Sequence, residues 1–196
     1  MIFSLCDRLF NNKDIRGINM EQWDLYTKDR IKTGKKINRG ERVPKGHFRT
    51  VVHVAIFDTK GKMLIQQRQK DKKLWAGLWD VTAAGSVIAG ESSLEAAERE
   101  VFEEIGYEIN LNNERPAFTI DFDEGFDDCY LIIRDLDIDK LVLQEKEVQN
   151  VKWATEEEIL QMIEDETFIS YHKSKIELMF FLRNQRGTHT RNDKYK

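Results

Sequence analysis

Three glutamates lie close together near the middle of the chain, within one predicted helix. Glu100, Glu103 and Glu104 follow a run that starts at Gly85 and contains Glu91. At about 100° per residue, the three carboxylates fall within an arc of roughly 100° around the helix. Carboxylates held this close repel one another, and a bound Mg²⁺ or Mn²⁺ would remove that penalty. The pattern therefore indicates a site that holds a divalent cation against a phosphate chain.

The ends of this helix are marked in the sequence. Ser92 with Glu95 is a capping-box pattern, and Gly106 is placed to end the helix. An acidic, solvated helix face is the alternative reading of E-x-x-E-E in a chain with 34% charged residues. The spacing that also includes Gly85 and Arg99 favours the metal site. An apolar stripe beside the carboxylates predicts that they border a buried face: Leu94, Ala97, Val101 and Ile105.

The segment from Gly85 to Tyr107 resembles the Nudix box, G-x5-E-x7-R-E-U-x-E-E-x-G-U, where U is a bulky apolar residue. Every fixed position matches, and Tyr107 is an aromatic departure at the last one. The resemblance implies an α/β fold, the Nudix-type α/β/α sandwich around a mixed β-sheet. It also implies hydrolysis of a nucleoside diphosphate linked to another group, with Mg²⁺ or Mn²⁺ as cofactor.

The same resemblance implies roles for the box residues. Glu100, Glu103 and Glu104 would be metal ligands, with the carbonyl of Gly85 as a further ligand. Arg99 would orient the glutamates. Two of these glutamates, Glu103 and Glu104, are also predicted to be catalytic, together with Arg99.

The residues just before the box resemble one Nudix branch, that of the type I isopentenyl-diphosphate isomerases and related hydrolases. This likeness covers roughly residues 21–183. The isomerases need a cysteine just before the box glycine, whereas this chain has Thr82-Ala83-Ala84 there and Ser86 after it. The isomerases also do not keep all of the box glutamates, whereas this chain keeps all three. A hydrolase is therefore favoured, and an isomerase or a ligand-binding Nudix module without turnover are the alternatives.

Further candidates come from the same branch. Arg68 and Lys72 fall where it contacts a diphosphate, although either could be an ordinary surface cation. Glu147 resembles a late glutamate that adds a ligand or acts as a base, the alternative being an exposed loop residue. Asp128 lies near the position of an isomerase carboxylate and is a substrate-binding candidate.

Several other side chains are better explained by packing. Phe126 and Trp153 could line a substrate pocket, but aromatic residues are more often buried in the core. Trp75 and Trp79 are expected to pack, and His53, inside an apolar strand, is expected to be a core histidine with satisfied hydrogen bonds.

Composition limits the class of protein. The chain has 196 residues, a net charge of −4 and only two cysteines, Cys6 and Cys129. No apolar run approaches the ~20 residues of a membrane helix. We expect one cytoplasmic domain with reduced thiols, acting on a small-molecule diphosphate, with no membrane partner and no specific nucleic-acid partner. The oligomeric state is open, with a homodimer among the options.

The predicted organisation is an extension over residues 1–20, a Nudix domain over 21–185 and a polar, disordered tail over 186–196. Helices are expected after Ser92, after Thr155 and over about 171–185. A basic stretch within 28–49 predicts a solvated hairpin, the alternative being an electrostatic funnel for an anionic substrate. The expected strands are a segment from residue 21, then 51–57, 62–68, 79–83, 118–122, 129–133 and 148–153.

Overall fold

The computed structural model describes residues 20–185, so the predicted tail and all but the last residue of the predicted extension lie outside it. Within those residues, no helix has the length and hydropathy needed to cross a bilayer. The helices are α1 (Ser93–Ile105), α2 (Glu156–Glu164) and α3 (Lys173–Leu182), with a 3-10 turn at Ile138–Lys140. The strands are β1 (Gln22–Tyr26), β2 (Lys32–Asn38), β3 (Arg49–Phe57), β4 (Met63–Arg68), β5 (Trp79–Asp80), β6 (Ala83–Ser86), β7 (Phe118–Phe122), β8 (Gly125–Ile133) and β9 (Val148–Ala154).

The strands form a mixed sheet and a separate hairpin. β1 and β2 pair antiparallel, as predicted for the basic hairpin. In the seven-stranded sheet, β3 runs parallel to β8 from Arg49↔Gly125 to Phe57↔Ile133, and the other pairings are antiparallel. β3 therefore lies at the centre of the sheet, between β6 and β8.

The strand predicted over residues 79–83 is broken in two. β5 pairs with β4, whereas β6 pairs with β3. Thr82 lies at the break, where its hydroxyl accepts a hydrogen bond from the Ile56 amide at 2.9 Å and donates to the Leu64 carbonyl. This hydroxyl bridges β3 and β4 where their own main-chain pairing stops, and the broken strand carries Gly85 onto the face below α1.

The sheet buries both of its faces. Alternate residues of β3, Val52, Val54 and Ile56, pack in one cluster with α1, while Ala55 and Phe57 pack in another with α2 and α3. Full burial of one such aliphatic side chain is worth about 1.5–3 kcal/mol. The predicted α/β/α sandwich around a mixed sheet is confirmed.

Helix α1 has the ends that the sequence predicts. The Ser92 hydroxyl accepts from the Glu95 amide at 3.2 Å, and the Glu95 carboxylate accepts from the Ser92 amide at 2.8 Å. Gly106 ends the helix in the left-handed region, with φ 67°. A second capping box, Thr155 with Glu158, starts α2.

Three predicted boundaries differ from the structure. β8 begins at Gly125 instead of Cys129, because its parallel pairing with β3 starts at Arg49. β3 correspondingly begins two residues before Val51. α3 spans Lys173–Leu182, so it is shorter than residues 171–185 at both ends, and Tyr171 precedes it with its hydroxyl hydrogen-bonded to His53.

Candidate active site

Gly85 and Glu100 bring β6 and α1 into direct contact. A Cβ atom built on Gly85 would lie 1.9 Å from Oε1 of Glu100, which is far inside van der Waals contact. Only a glycine lets the carboxylate rest against the strand at this point. The carbonyl predicted as a metal ligand therefore belongs to the same residue that seats the Glu100 carboxylate.

Glu104 is buried between α1 and the sheet. Its Oε2 accepts hydrogen bonds from Gln66 Nε2 at 2.7 Å and from the Ala84 amide at 3.2 Å. Burial raises the pKa of Glu104 well above its usual value, and the charges of Glu100 and Asp80 raise it further. The charged form of this carboxylate is therefore short of a positive partner.

Arg99 ties the acidic residues together. Its guanidinium donates to both oxygens of Glu91, at 2.8 and 3.1 Å. It also donates to Glu100 at 2.8 Å and to Glu103 at 3.1 Å, and to the Ser86 carbonyl at 3.1 Å. Burial opposes the charge of Arg99, but these carboxylates outweigh it and raise the arginine's pKa.

The three box glutamates differ in exposure. Burial raises the pKa of Glu100 to about 7; Arg99 opposes the shift, and the charges of Glu103 and Glu21 add to it. The side chain of Glu103 is 43% exposed, so it reaches solvent beside its two buried neighbours. Arg99 supplies one positive charge to this group, which leaves a net negative cluster of oxygen donors. That donor set fits a hard divalent cation such as Mg²⁺ or Mn²⁺.

Glu147 and Lys72 form an ion pair. The segment before Glu147 is fixed to the end of α1, because the Gln144 amide donates to the Glu104 carbonyl at 3.0 Å. The Gln69 amide in turn donates to the Glu147 carbonyl at 2.9 Å. Two predicted site residues are thus brought together, and each neutralises the other until the pair opens.

Arg68 faces Asp80. Its Nη1 lies 3.9 Å from Oδ2 of Asp80, and its Nε is buried without a hydrogen-bond partner. Asp80 also accepts from the Tyr171 hydroxyl at 2.8 Å. Arg68 therefore stands close to the buried acids, with part of its donor capacity unused.

The contacts of Asp128 favour a structural role instead of substrate binding. Its side chain is 1% exposed and receives both terminal nitrogens of Arg30, at 3.0 and 2.7 Å. Thr119 donates to it as well, at 2.6 Å. Asp128 anchors the segment between β1 and β2 to β8, and it has almost no surface to offer a ligand.

A second group of potential ligands lies on the other face of the sheet. One ligand atom from each of His53, Asp127 and Cys129 falls within 4.8 Å of the others. Lys175 Nζ already occupies this group, 2.8 Å from Asp127, and burial raises the pKa of the Cys129 thiol. An ammonium and a neutral thiol fit a metal poorly, so this group is an ion-paired network.

His53 itself is the satisfied core histidine that the sequence predicts. Its Nδ1 lies 2.5 Å from Asp127 Oδ1 and its Nε2 2.9 Å from the Tyr171 hydroxyl. Trp79 packs in the core and Trp153 packs beside α1. Phe126 is buried, with Arg30 over its ring at 4.9 Å.

The expectation that Trp75 is buried is wrong. Its side chain is 51% exposed, and its φ of 52° lies in the left-handed region. The loop between β4 and β5 turns at this residue, and the turn leaves the residue exposed to solvent. Leu74 beside it is exposed as well.

Open recesses on the described surface include two of different size. The larger, about 780 Å³, lies along α2 and α3 and includes none of the box residues. The smaller, about 470 Å³, is lined by Glu21 of the hairpin and by Ile88 and Ala89 of the box loop. The box glutamates line neither recess, so the carboxylate cluster and not a recess volume defines the candidate site.

Several residues of the site could not be singled out from the sequence. Gln66, Asp80 and Ser86 contact Glu104, Arg68 and Arg99, respectively. One signal was available, because Gln66 is a polar residue inside an otherwise apolar strand. Asp80 and Ser86 carry no such signal, because the residues they contact in the fold are set by how segments distant in sequence pack together.

Comparison with known proteins shows which family model, relatives and folds this chain is similar to. A family model described as the NUDIX domain matches residues 46–173. The chain is 44% identical over 170 residues to an uncharacterized Nudix hydrolase of Listeria monocytogenes, covering 87% of this chain and 99% of that one. It is 35% identical to an isopentenyl-diphosphate Delta-isomerase of Pectobacterium atrosepticum, but over only 40% of this chain and 42% of that one. The fold is similar to the crystal structure of DR0079 from Deinococcus radiodurans, with a TM-score of 0.62, 23% identity, and coverage of 81% of this chain and 97% of that one.

Proposed function

Because this chain belongs to the NUDIX family of hydrolases, we propose that it is a metal-dependent pyrophosphohydrolase that cleaves a diphosphate linkage in an organic, nucleotide-type substrate by water attack. The observation that carries the proposal is the anchoring of the box carboxylates. Arg99 holds Glu100 and Glu103, and Gly85 leaves room for the Glu100 carboxylate.

The proposed ligands are Glu100, Glu103, Glu104 and the Gly85 carbonyl, with Mg²⁺ or Mn²⁺ as the ion. When bound, such an ion screens the phosphate oxygens and lowers the pKa of water. The buried carboxylates support this assignment, since burial penalises the charged forms of Glu100 and Glu104. A cation at this place would stabilise those charges.

The protein's own groups then position the reactants. Arg99 fixes the direction of the carboxylates through five hydrogen bonds to Glu91, Glu100, Glu103 and Ser86. Glu103 is exposed enough to accept a proton from an attacking water. Glu147 is the second candidate base, and it would first have to leave Lys72.

The cations near these acids suit an anionic substrate. Lys72 and Arg68 lie on or next to β4, and Arg68 has a buried nitrogen without a partner. We assign both to the binding of substrate phosphate groups. The proposal places this activity in one domain, residues 21–185, acting in the cytoplasm on a small molecule and not on nucleic acid. A homodimer is compatible with it.

An isomerase fits the site less well. The thiol of Cys129 packs in the cluster on the face away from α1, so it does not reach the box glutamates. Thr82, Ala83 and Ala84 supply no thiol next to Gly85.

A substrate panel tests the proposal. The purified full chain is incubated with nucleoside diphosphate sugars, dinucleoside polyphosphates, oxidised nucleotides and isopentenyl diphosphate, each with Mg²⁺, Mn²⁺ or EDTA. We expect metal-dependent release of phosphate-containing products from at least one of them. Dimethylallyl diphosphate as product would favour the isomerase, and metal-dependent binding of a ligand without any product would favour a binding module.

A further inference from the structure

Arg49 lies one hydrogen bond away from the box. Its Nη1 donates to the Ser86 hydroxyl at 3.1 Å. The carbonyl of the same serine accepts from Arg99 at 3.1 Å. Ser86 therefore joins Arg49 to the arginine that holds the box glutamates.

Two aromatic rings hold the Arg49 guanidinium in place. Its Cζ lies 4.6 Å from the centroid of the Trp23 ring and 5.5 Å from that of Phe122. Trp23 is itself fixed, because its indole nitrogen donates to Glu21 at 2.7 Å. The charge of Glu21 reaches the box, where it helps to raise the pKa of Glu100. Stacking on aromatic faces leaves the in-plane N–H groups of a guanidinium free for a ligand.

The charge of Arg49 is not matched. Among residues 20–185, the Ser86 hydroxyl is the one hydrogen-bond acceptor of its guanidinium, and no carboxylate oxygen lies within 4.0 Å of its nitrogens. Burial lowers the pKa of Arg49, and the more distant charge of Glu124 offsets this only in part. Arg99, by contrast, contacts three carboxylates. A guanidinium has five N–H donors, and phosphate is an anion that can accept two of them at once.

We propose that Arg49 is a specificity residue that binds a second phosphate group of an organic diphosphate, next to the phosphate held at the box glutamates. This inference rests on the proposed pyrophosphohydrolase function and adds to it the reason why a diphosphate would be preferred over a monophosphate. The hairpin strand β1 contributes through Trp23, whose ring packs against the guanidinium that donates to Ser86.

The test measures the binding of methylenediphosphonate, a non-hydrolysable diphosphate analogue, by titration calorimetry in the presence of Mg²⁺. Arg49→Gln should weaken this binding about 10-fold or more and raise KM for the active diphosphate by a similar factor. Its kcat should stay within about 3-fold of the wild type, since Arg99 and the box glutamates are unchanged. Arg49→Lys should lie between the two, because an ammonium keeps the charge but loses the planar fork. Arg134→Gln is the matched control, since Arg134 is exposed and donates to the carbonyl of its own neighbour.

Unchanged binding and KM in Arg49→Gln would overturn the inference and leave the proposed function standing. If the wild type binds the diphosphonate through Arg49 but cleaves no diphosphate, the proposed function fails instead. A second measurement covers a variant that does not fold. Wild-type protein is treated with phenylglyoxal, and modified arginines are mapped by mass spectrometry. Methylenediphosphonate should protect Arg49 and leave Arg134 reactive, and equal labelling of Arg49 with and without it would overturn the inference.

Discussion

The carboxylate of Asp127 lies 2.5 Å from Nδ1 of His53, on the face of the sheet opposite α1. Lys175 approaches the other oxygen of this carboxylate at 2.8 Å, and all three side chains are largely or wholly buried. Three elements meet here, since His53 belongs to β3, Asp127 to β8 and Lys175 to α3. The contact therefore fastens the last helix to the centre of the sheet.

A pH-dependent stability follows from this contact. Burial alone would raise the pKa of Asp127, but His53 and Lys175 outweigh burial and hold the pKa at about 2, below the ordinary 3.8. A carboxyl group whose pKa is lower in the folded state stabilises the fold fully at pH values above its unfolded-state pKa. This contribution to the free energy of unfolding is lost as the pH falls through the folded-state pKa. The shift corresponds to roughly 2 kcal/mol at neutral pH.

Urea unfolding of Asp127→Asn at several pH values measures this effect. The variant should be less stable than the wild type at pH 7, and the difference should shrink between about pH 4 and pH 2. Asp123→Asn, at an exposed position, serves as the control and should show a small, constant difference. A difference for Asp127→Asn that does not change with pH would contradict the assignment.

Gly85→Ala should abolish activity while leaving the fold intact. The new Cβ would lie 1.9 Å from the Glu100 carboxylate, which must then move away from β6. Circular dichroism and turnover on the panel substrate would measure the two effects. Gly90→Ala is a useful comparison, because a Cβ there meets nothing within 4 Å and is disfavoured only by φ +99°. Equal loss of turnover in both variants would contradict the role of the close contact.

Replacing Glu103 or Glu104 by glutamine should lower turnover by about 100-fold or more. Thermal melts add a second readout. Without metal, Glu104→Gln should be at least as stable as the wild type, because the buried carboxylate charge is removed. Mg²⁺ at 100 times its Kd should stabilise the folded wild type by about 2.7 kcal/mol and so raise its Tm. The Tm of Glu104→Gln should rise less.

Glu108→Gln is the control for both measurements, since Glu108 is exposed just beyond the helix. Wild-type turnover in the Glu103 and Glu104 variants on a confirmed substrate would exclude these residues from the mechanism.

The two candidate bases, Glu103 and Glu147, can be told apart by experiment, because only Glu147 is paired with Lys72. If Glu147 accepts the proton, Glu147→Gln should lower kcat by about 100-fold or more, and Lys72→Met should change the pH profile of kcat by freeing the carboxylate. Glu145→Gln, two residues away and exposed, is the control. A normal kcat in Glu147→Gln would leave Glu103 as the remaining candidate for the base.

The limits of α1 and the placement of its carboxylates could be predicted because their signals are local. Ser92 with Glu95 and the terminal Gly106 set the helix within a few residues of chain. The fold class followed from the box and from the alternation of strands and helices. Even the need for Gly85 was visible, although its cause, the contact with Glu100, was not.

The remaining parts of the site depend on contacts between distant segments. From the sequence, Asp128 is a substrate-binding candidate because it lies near the position of an isomerase carboxylate. Its ion pair with Arg30, which is distant in sequence, could not be predicted. Gln66 meets Glu104 only because β4 lies below α1. Trp75 was misassigned since the average burial of tryptophan says little about a loop residue with positive φ.

The parallel pairing of β3 with β8 also bears on how the chain reaches its folded state. These two strands come from opposite halves of the described chain, and the box helix lies between them in sequence. Closing so long a segment is entropically costly, and folds dominated by such pairings reach the native state slowly. During synthesis, the central strand gains its parallel neighbour only after β8 has left the ribosome. A truncated product that ends at Tyr107 would therefore carry every box residue and still lack β7, β8 and β9, including the parallel neighbour of the central strand.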